Sequence, residues 1–270
     1  LPESVGLTTD LRDVEQAEVV IISIGSQSLR ALLAEEPMQA LRNKTVVLCM
    51  KGLEMGTGER LSVIAGELLH PSCTVAVWLG PGHVQEFYRG IPNCMVIDSE
   101  NEQVKRRLVQ AFSSDLIRFY YGGDMIGNEV GAAAKNVVGI AAGFLDGVEM
   151  SSLKGALMSR GTREVARLIR AMGGNELSAY GLCHLGDYEA TVFSPYSHNR
   201  QFGESFIRHQ DYHRLAEGYY TVEALMVLSE RYQVELPICR AVHAILYENA
   251  DPREQLTDLL RRGLRAEFDD

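Results

Sequence analysis

Over the first 121 residues, short β-branched runs alternate with amphipathic ones, and after Asp124 the alternation stops. Five runs read as strands, at 18–24, 45–50, 74–79, 94–97 and 117–121. Helical spacing fills the intervals: Leu29, Leu32 and Leu33; then Leu61, Ile64, Ala65 and Leu68; then 102–112. Continuous apolar strands separated by helices form a mostly parallel sheet with helices on both faces. Beyond Asp124 the periodicity is helical. Ser151 and Ser152 are expected to cap a helix that runs to about Met172 and stops at Gly173-Gly174. Further helices are expected at 221–232, ahead of Pro237, and at 255–264, where Pro252 sits in the opening turn. The shift predicts an α/β domain over 1–122 and an all-α domain over 123–270.

Composition excludes several function classes. The net charge of -10 argues against nucleic-acid binding. No run reaches the roughly 18 apolar residues of a membrane span, and neither a span nor a signal peptide is expected. The five cysteines are scattered without a C-x-x-C, so a reducing, cytoplasmic setting is expected. His209 and His213 share a helical spacing but lack an H-E-x-x-H, and no metal site is expected.

Chemistry concentrates in five segments. In the first, 127–147, Gly131, Gly139 and Gly143 stand at four-residue steps around Lys135. Each interior glycine costs a helix about 1 kcal/mol against alanine, so close contact must offset the loss. Either the glycines admit another helix, or they clear space around the lysine. An ammonium among alanines needs a carboxylate or an anionic ligand, and partial desolvation lowers its pKa toward the range of proton transfer. Lys51 follows a strand directly, where open parallel sheets collect ligands. Gly80-Pro81-Gly82-His83 ends the third strand and offers bare backbone amides. Asp187, in Leu185-Gly186-Asp187, either caps a helix or pairs with a buried lysine. Ser197-His198-Asn199-Arg200 places four donors together, which either serve an anion or form an ordinary polar loop into a helix.

In this order the segments resemble the NAD(P)-dependent glycerol-3-phosphate dehydrogenase family. The resemblance runs from about Thr8 to Leu264. It rests on K-G-L-E at Lys51, G-x-x-x-K-N-V-x-x-I-A-x-G around Lys135, L-G-D with Thr191, N-R-x-F-G from Asn199, and Ala216-Glu217-Gly218 with Thr221. It implies a Rossmann-like first domain, an all-α second domain, NAD or NADP as cofactor, and interconversion of dihydroxyacetone phosphate and sn-glycerol 3-phosphate. Lys135 would then be the acid/base, Lys51 would bind substrate and polarise its carbonyl, and Asp187 would pair with the lysines. Thr191, Ser197, His198, Asn199 and Arg200 would bind the small phosphorylated substrate. Gly80, Val84 and Glu217 would lie on the cofactor side. The family also implies a homodimer.

Three departures stand out. The chain contains no G-x-G-x-x-[GA] loop, so the Rossmann-like domain is expected to be incomplete, with its first βαβ unit absent. His198 stands where the family carries an arginine, exchanging a permanent guanidinium for an imidazole. Gly82 stands where the family has a serine. His198 and Gly82 favour a relative with altered specificity for a small phosphorylated or acidic hydroxy compound. The missing loop favours a non-catalytic, ligand- or partner-binding homologue.

Overall fold

The computed structural model describes residues 3–82 and 84–261. His83 of the glycine turn and the expected helix end at Leu264 lie outside the described residues. All five strands form: β1 (Val19–Ile22), β2 (Thr45–Leu48), β3 (Thr74–Leu79), β4 (Asn93–Asp98) and β5 (Ile117–Tyr121). They lie side by side in chain order. β1, β2 and β3 are parallel, with Val19 opposite Thr45 and Thr45 opposite Thr74. β4 turns antiparallel to β3, and β5 runs parallel to β4.

The first half also carries α1 (Leu29–Leu33), α2 (Glu36–Gln39), α3 (Leu61–Leu68), α4 (Val84–Tyr88) and α5 (Glu102–Phe112). The reversal at β4 follows from α4. Six strand residues span about 20 Å, whereas five helical residues cover about 8 Å, so this helix does not carry the chain back across the sheet. On one face Val20, Ile22, Leu48, Val77 and Leu79 pack with Leu33 of α1 and Leu61 and Ile64 of α3. On the other, Val47, Ala76, Ile97 and Phe119 meet Leu108 and Val109 of α5. Burial on both faces holds for β2 but not for the edges. Ile21 of β1 is 44% exposed, and only Phe119 of β5 is buried. An apolar run does not reveal that its strand is an edge strand.

The second half is helical: α6 (Met125–Gly147), α7 (Lys154–Ala171), α8 (His198–Ile207), α9 (Glu217–Tyr232), α10 (Pro237–Tyr247) and α11 (Pro252–Arg261). Residues 129–145 of α6 are all buried, which makes this 23-residue helix the axis of the second core. Among the described residues no helix is long and apolar enough to cross a membrane. Two buried carboxylates tie α6 to the sheet domain. Glu129 accepts from the Ser62 N–H at 2.9 Å and from Arg60 at 2.7 Å, and Asp98 accepts from the Asp124 N–H and from Asn128.

Gly131, Gly139 and Gly143 of α6 all admit a neighbouring stretch of chain. A Cβ on Gly143 would collide with the Arg200 carbonyl and meet Gly203 Cα at 2.9 Å, so this position admits a helix, α8. A Cβ on Gly139 would meet Thr191 Cγ2 at 2.7 Å, and one on Gly131 would meet His184 Cβ at 3.0 Å. Those two glycines admit the segment that carries Asp187; they do not clear space around Lys135 itself. Gly143→Ala should therefore force α6 and α8 apart. We expect a loss of about 1–3 kcal/mol, read as a melting temperature lower by several degrees in calorimetry.

The cap expected at Ser151-Ser152 is not made. Residues Ser151–Leu153 form a 3-10 turn, α7 starts at Lys154 with Leu153 as its cap residue, and the Ser151 hydroxyl donates to Asp146 at 2.6 Å. The stop is as expected, with Gly173 at φ +87°. α9 begins four residues before the expected 221. Gly218 disguises that first turn, and its missing side chain is what lets the turn lie against the Asn136 carbonyl.

Candidate active site

The carboxyl ends of β1, β2 and β3 point to one rim of the sheet, where an open α/β sheet gathers ligands. β2 delivers Lys51 there, β3 delivers Gly80, and α6 lays Lys135 against the same rim. A 3-10 turn, Leu185–Asp187, brings in Asp187 from the helical half. Both ammonium groups close on one oxygen: Lys51 Nζ and Lys135 Nζ each lie 2.8 Å from Asp187 Oδ2. The pairing reading of Asp187 holds, and the capping reading does not.

Each lysine has a second anchor. Lys51 donates to the Gly80 carbonyl at 2.6 Å. Lys135 donates to Thr191 Oγ1 at 2.9 Å, and that hydroxyl donates onward to the Asp187 carbonyl at 2.7 Å. Thr191 lies in a single π-helical turn, Glu189–Phe193, a distortion frequent at functional sites. Burial separates the two cations: the Lys135 side chain is 9% exposed and that of Lys51 is 23% exposed. Burial pushes the Lys135 ammonium down to about 8; Asp187 pulls against that shift, and the Lys51 charge adds to it. Burial alone would raise Asp187, but the two ammonium groups, Lys135 first, hold its carboxyl below the usual range. The outcome is a lysine poised for proton transfer beside a carboxylate that stays ionised.

Lys51, Lys135 and Asp187 line a cleft of about 280 Å3 together with Gly82, Thr191, Ser197, His198, Asn199 and Glu217. Ser197 caps α8, its hydroxyl accepting from the Arg200 N–H. The first turn of α8 thus faces the cleft, and its backbone N–H groups and dipole favour an anion. His198 Nδ1 lies 2.9 Å from the Tyr212 hydroxyl. Asn199 belongs to a relay: its amide donates to Asn136 Oδ1 at 3.0 Å, Asn136 donates to the Lys51 carbonyl at 2.7 Å, and the Gly218 N–H donates to Asn199 Oδ1 at 2.9 Å. Across the cleft Glu217 accepts from the Ser26 N–H at 2.9 Å and from the Ser26 hydroxyl.

Three expected site residues stand apart from the cleft. Arg200 turns away from it; its guanidinium binds Asp146 at 2.7 Å, Glu204 at 3.1 Å and the Ser194 carbonyl. Its guanidinium is drawn away by two carboxylates, Asp146 of α6 and Glu204 one turn along α8. Val84 lies on α4 and is 64% exposed. Gly80 contributes its carbonyl to Lys51. Conversely, Asn136 and Ser26 were not singled out from the sequence. An asparagine inside the apolar helix, next to Lys135, was the signal for the first. A serine four residues beyond the end of a parallel strand was the signal for the second.

The chain matches the family described as NAD-dependent glycerol-3-phosphate dehydrogenase, its N-terminus over residues 1–105 and its C-terminus over residues 124–257. It is 33% identical over 273 residues to the NAD(P)+ glycerol-3-phosphate dehydrogenase of Thermotoga sp. (strain RQ2), covering 98% of this chain and 83% of that protein. To the enzyme of the same name from Streptomyces griseus it is 35% identical over 277 residues, covering 99% and 82%. The crystal structure of glycerol-3-phosphate dehydrogenase from Coxiella burnetii superposes with a TM-score of 0.90 at 28% identity, over 97% of this chain and 82% of that one.

Proposed function

The chain belongs to the NAD-dependent glycerol-3-phosphate dehydrogenase family, and from that premise we propose that it interconverts dihydroxyacetone phosphate and sn-glycerol 3-phosphate with Lys135 as acid/base. The observation that carries the reading is the single Asp187 oxygen shared by Lys51 and Lys135 at the strand ends. The cofactor is NAD or NADP. Its nicotinamide end is assigned to the wall of the cleft that Gly82 and Glu217 line, where Gly82 has φ +148°. Gly82 and Glu217 would hold that end. When bound, the cofactor supplies or accepts the hydride.

The chain's own residues do the rest. Lys51 orients the substrate oxygen and polarises its carbonyl. Lys135 gives that oxygen its proton in reduction and takes it back in oxidation, neutralising the charge that develops there. Asp187 keeps both cations in place. Ser197, His198, Asn199 and the first turn of α8 receive the phosphate. A purified sample should oxidise NADH or NADPH with dihydroxyacetone phosphate and show little turnover with unphosphorylated dihydroxyacetone. Absence of any substrate-dependent oxidation would refute the reading. His198→Arg should lower the KM for dihydroxyacetone phosphate by about tenfold or more, because a charge-assisted bond to phosphate contributes about 1.5–3 kcal/mol.

A second reading, altered specificity, is favoured by His198 itself. A panel of small phosphorylated and acidic hydroxy compounds with a better kcat/KM than glycerol 3-phosphate would select it. We place the domain boundary at 122/123, between β5 and α6. The reading further includes a cytoplasmic homodimer. The five unpaired thiols suit a reducing compartment, and sedimentation at twice the chain mass tests the dimer.

A further inference from the structure

His184 is fully buried, lies close to Lys135 and Asp187, and has no part in the mechanism above. Both ring nitrogens are engaged: Nδ1 lies 2.8 Å from the Gly131 carbonyl and Nε2 lies 2.7 Å from the Tyr188 hydroxyl. A carbonyl only accepts, so Nδ1 carries the hydrogen and Nε2 accepts from Tyr188. Burial pushes the imidazole down to about 4, which keeps it neutral and in that one tautomer. Tyr188 is itself fully buried, its ring edge-on to His184 at 4.9 Å.

The attachments of this ring are what matter. Gly131 lies one helical turn before Lys135 on α6, and a Cβ there would meet His184 Cβ at 3.0 Å. On its other side, the His184 carbonyl accepts the Asp187 N–H at 3.0 Å. One residue therefore touches α6 a turn ahead of the lysine and opens the 3-10 turn that ends in the carboxylate. A buried imidazole has no other partner to exchange for these two, so the spacing cannot drift without leaving a polar group unpaired.

We propose that His184, locked between the Gly131 carbonyl and the Tyr188 hydroxyl, is a positioning residue that sets the distance between Lys135 and Asp187. It acts through those two groups and touches no reacting atom. The inference rests on the reading of Lys135 as acid/base. The charged and titratable groups facing that lysine are Asp187 from the 3-10 turn and Lys51 from the loop after β2. Buried Cys183 lies near both, and Glu217 shares the cleft. If Asp187 drifts, desolvation of the Lys135 ammonium is less opposed, and its pKa falls further. His184 stays neutral throughout the useful pH range, so a changed profile in its variants cannot be its own titration.

The test is the pH dependence of kcat/KM for reduction, measured on the full chain for wild type, His184→Leu, His184→Asn and Tyr188→Phe, with Lys135→Met alongside. His184→Leu should shift the alkaline limb by about one unit toward lower pH and reduce kcat by about tenfold, with the KM for NADH unchanged. His184→Asn retains a donor for the Gly131 carbonyl and should restore part of the profile. Tyr188→Phe, nearly isosteric, should shift it in the same direction by less. Profiles superimposable on wild type in the folded variants would overturn the inference. Should His184→Leu fail to fold, Tyr188→Phe decides alone: a shifted limb supports the inference and an unshifted one overturns it. Full turnover in Lys135→Met would instead refute the acid/base reading, and so separates the two failures.

Discussion

Lys135→Met should lower kcat for reduction by about a thousandfold, within the range that a placed general acid contributes. Methionine matches the length of the lysine stem and fills the same buried space, so α6 keeps its packing. The Asp187–Lys51 contact at 2.8 Å survives, and with it the shape of the cleft. Binding of NADH should be nearly unchanged, because in the proposed mechanism Lys135 meets the reacting oxygen and not the cofactor side of the cleft. Thermal stability should hold or rise slightly, since the variant removes a desolvated charge while its partner keeps a second cation. Stopped-flow turnover with fluorescence titration of NADH separates the two effects. Retained turnover would show that another group moves the proton.

Asp187→Asn should be the more disruptive substitution. Two ammonium groups that converged on one oxygen would face each other across a neutral amide. Removing one partner of a buried ion pair costs about 3–5 kcal/mol when the remaining charge has no outlet. Here Lys135 has one: it sheds its proton. Its pKa, already pushed down to about 8 by burial, would fall further without the carboxylate. At neutral pH the variant would lack its acid, and kcat for reduction should fall by about a hundredfold or more.

The stability of this variant should carry a matching pH signature. In the wild type the folded chain binds Lys135's proton less tightly than the unfolded chain does. Stability therefore rises with pH from about 8 toward the ordinary lysine value of 10.5. In Asp187→Asn that rise should begin at lower pH. Melting curves taken across the range check it, and an unchanged onset would show that the carboxylate does not support the Lys135 charge.

Much of this site was legible because it uses residue types that are costly without a partner. A lysine among alanines, an aspartate after a glycine in an apolar stretch and a lysine at a strand end each pose a question of desolvation, and one contact answers all three. Arg200 was misjudged for the complementary reason: its charge indicates that it needs a partner but not on which side of α8. Asp146 supplies the answer from the end of a helix that precedes it by some fifty residues. The five strands were legible as β-branched runs bounded by glycine and polar residues. The first turn of α8 reads His-Asn-Arg, which a polar loop into a helix resembles, and Pro237, which follows the expected helix 221–232, opens α10. His184 carried no signal at all. An apolar setting does not reveal that the ring meets the carbonyl of Gly131, more than fifty residues earlier.

The most direct single measurement is kcat/KM in both directions from about pH 6 to 10, which reports the ionisation of the free enzyme's acid and base. With Lys135 as the proton carrier, reduction should fall and oxidation should rise through the same midpoint, close to pH 8. Two flat profiles, or midpoints that persist in Lys135→Met, would contradict the account.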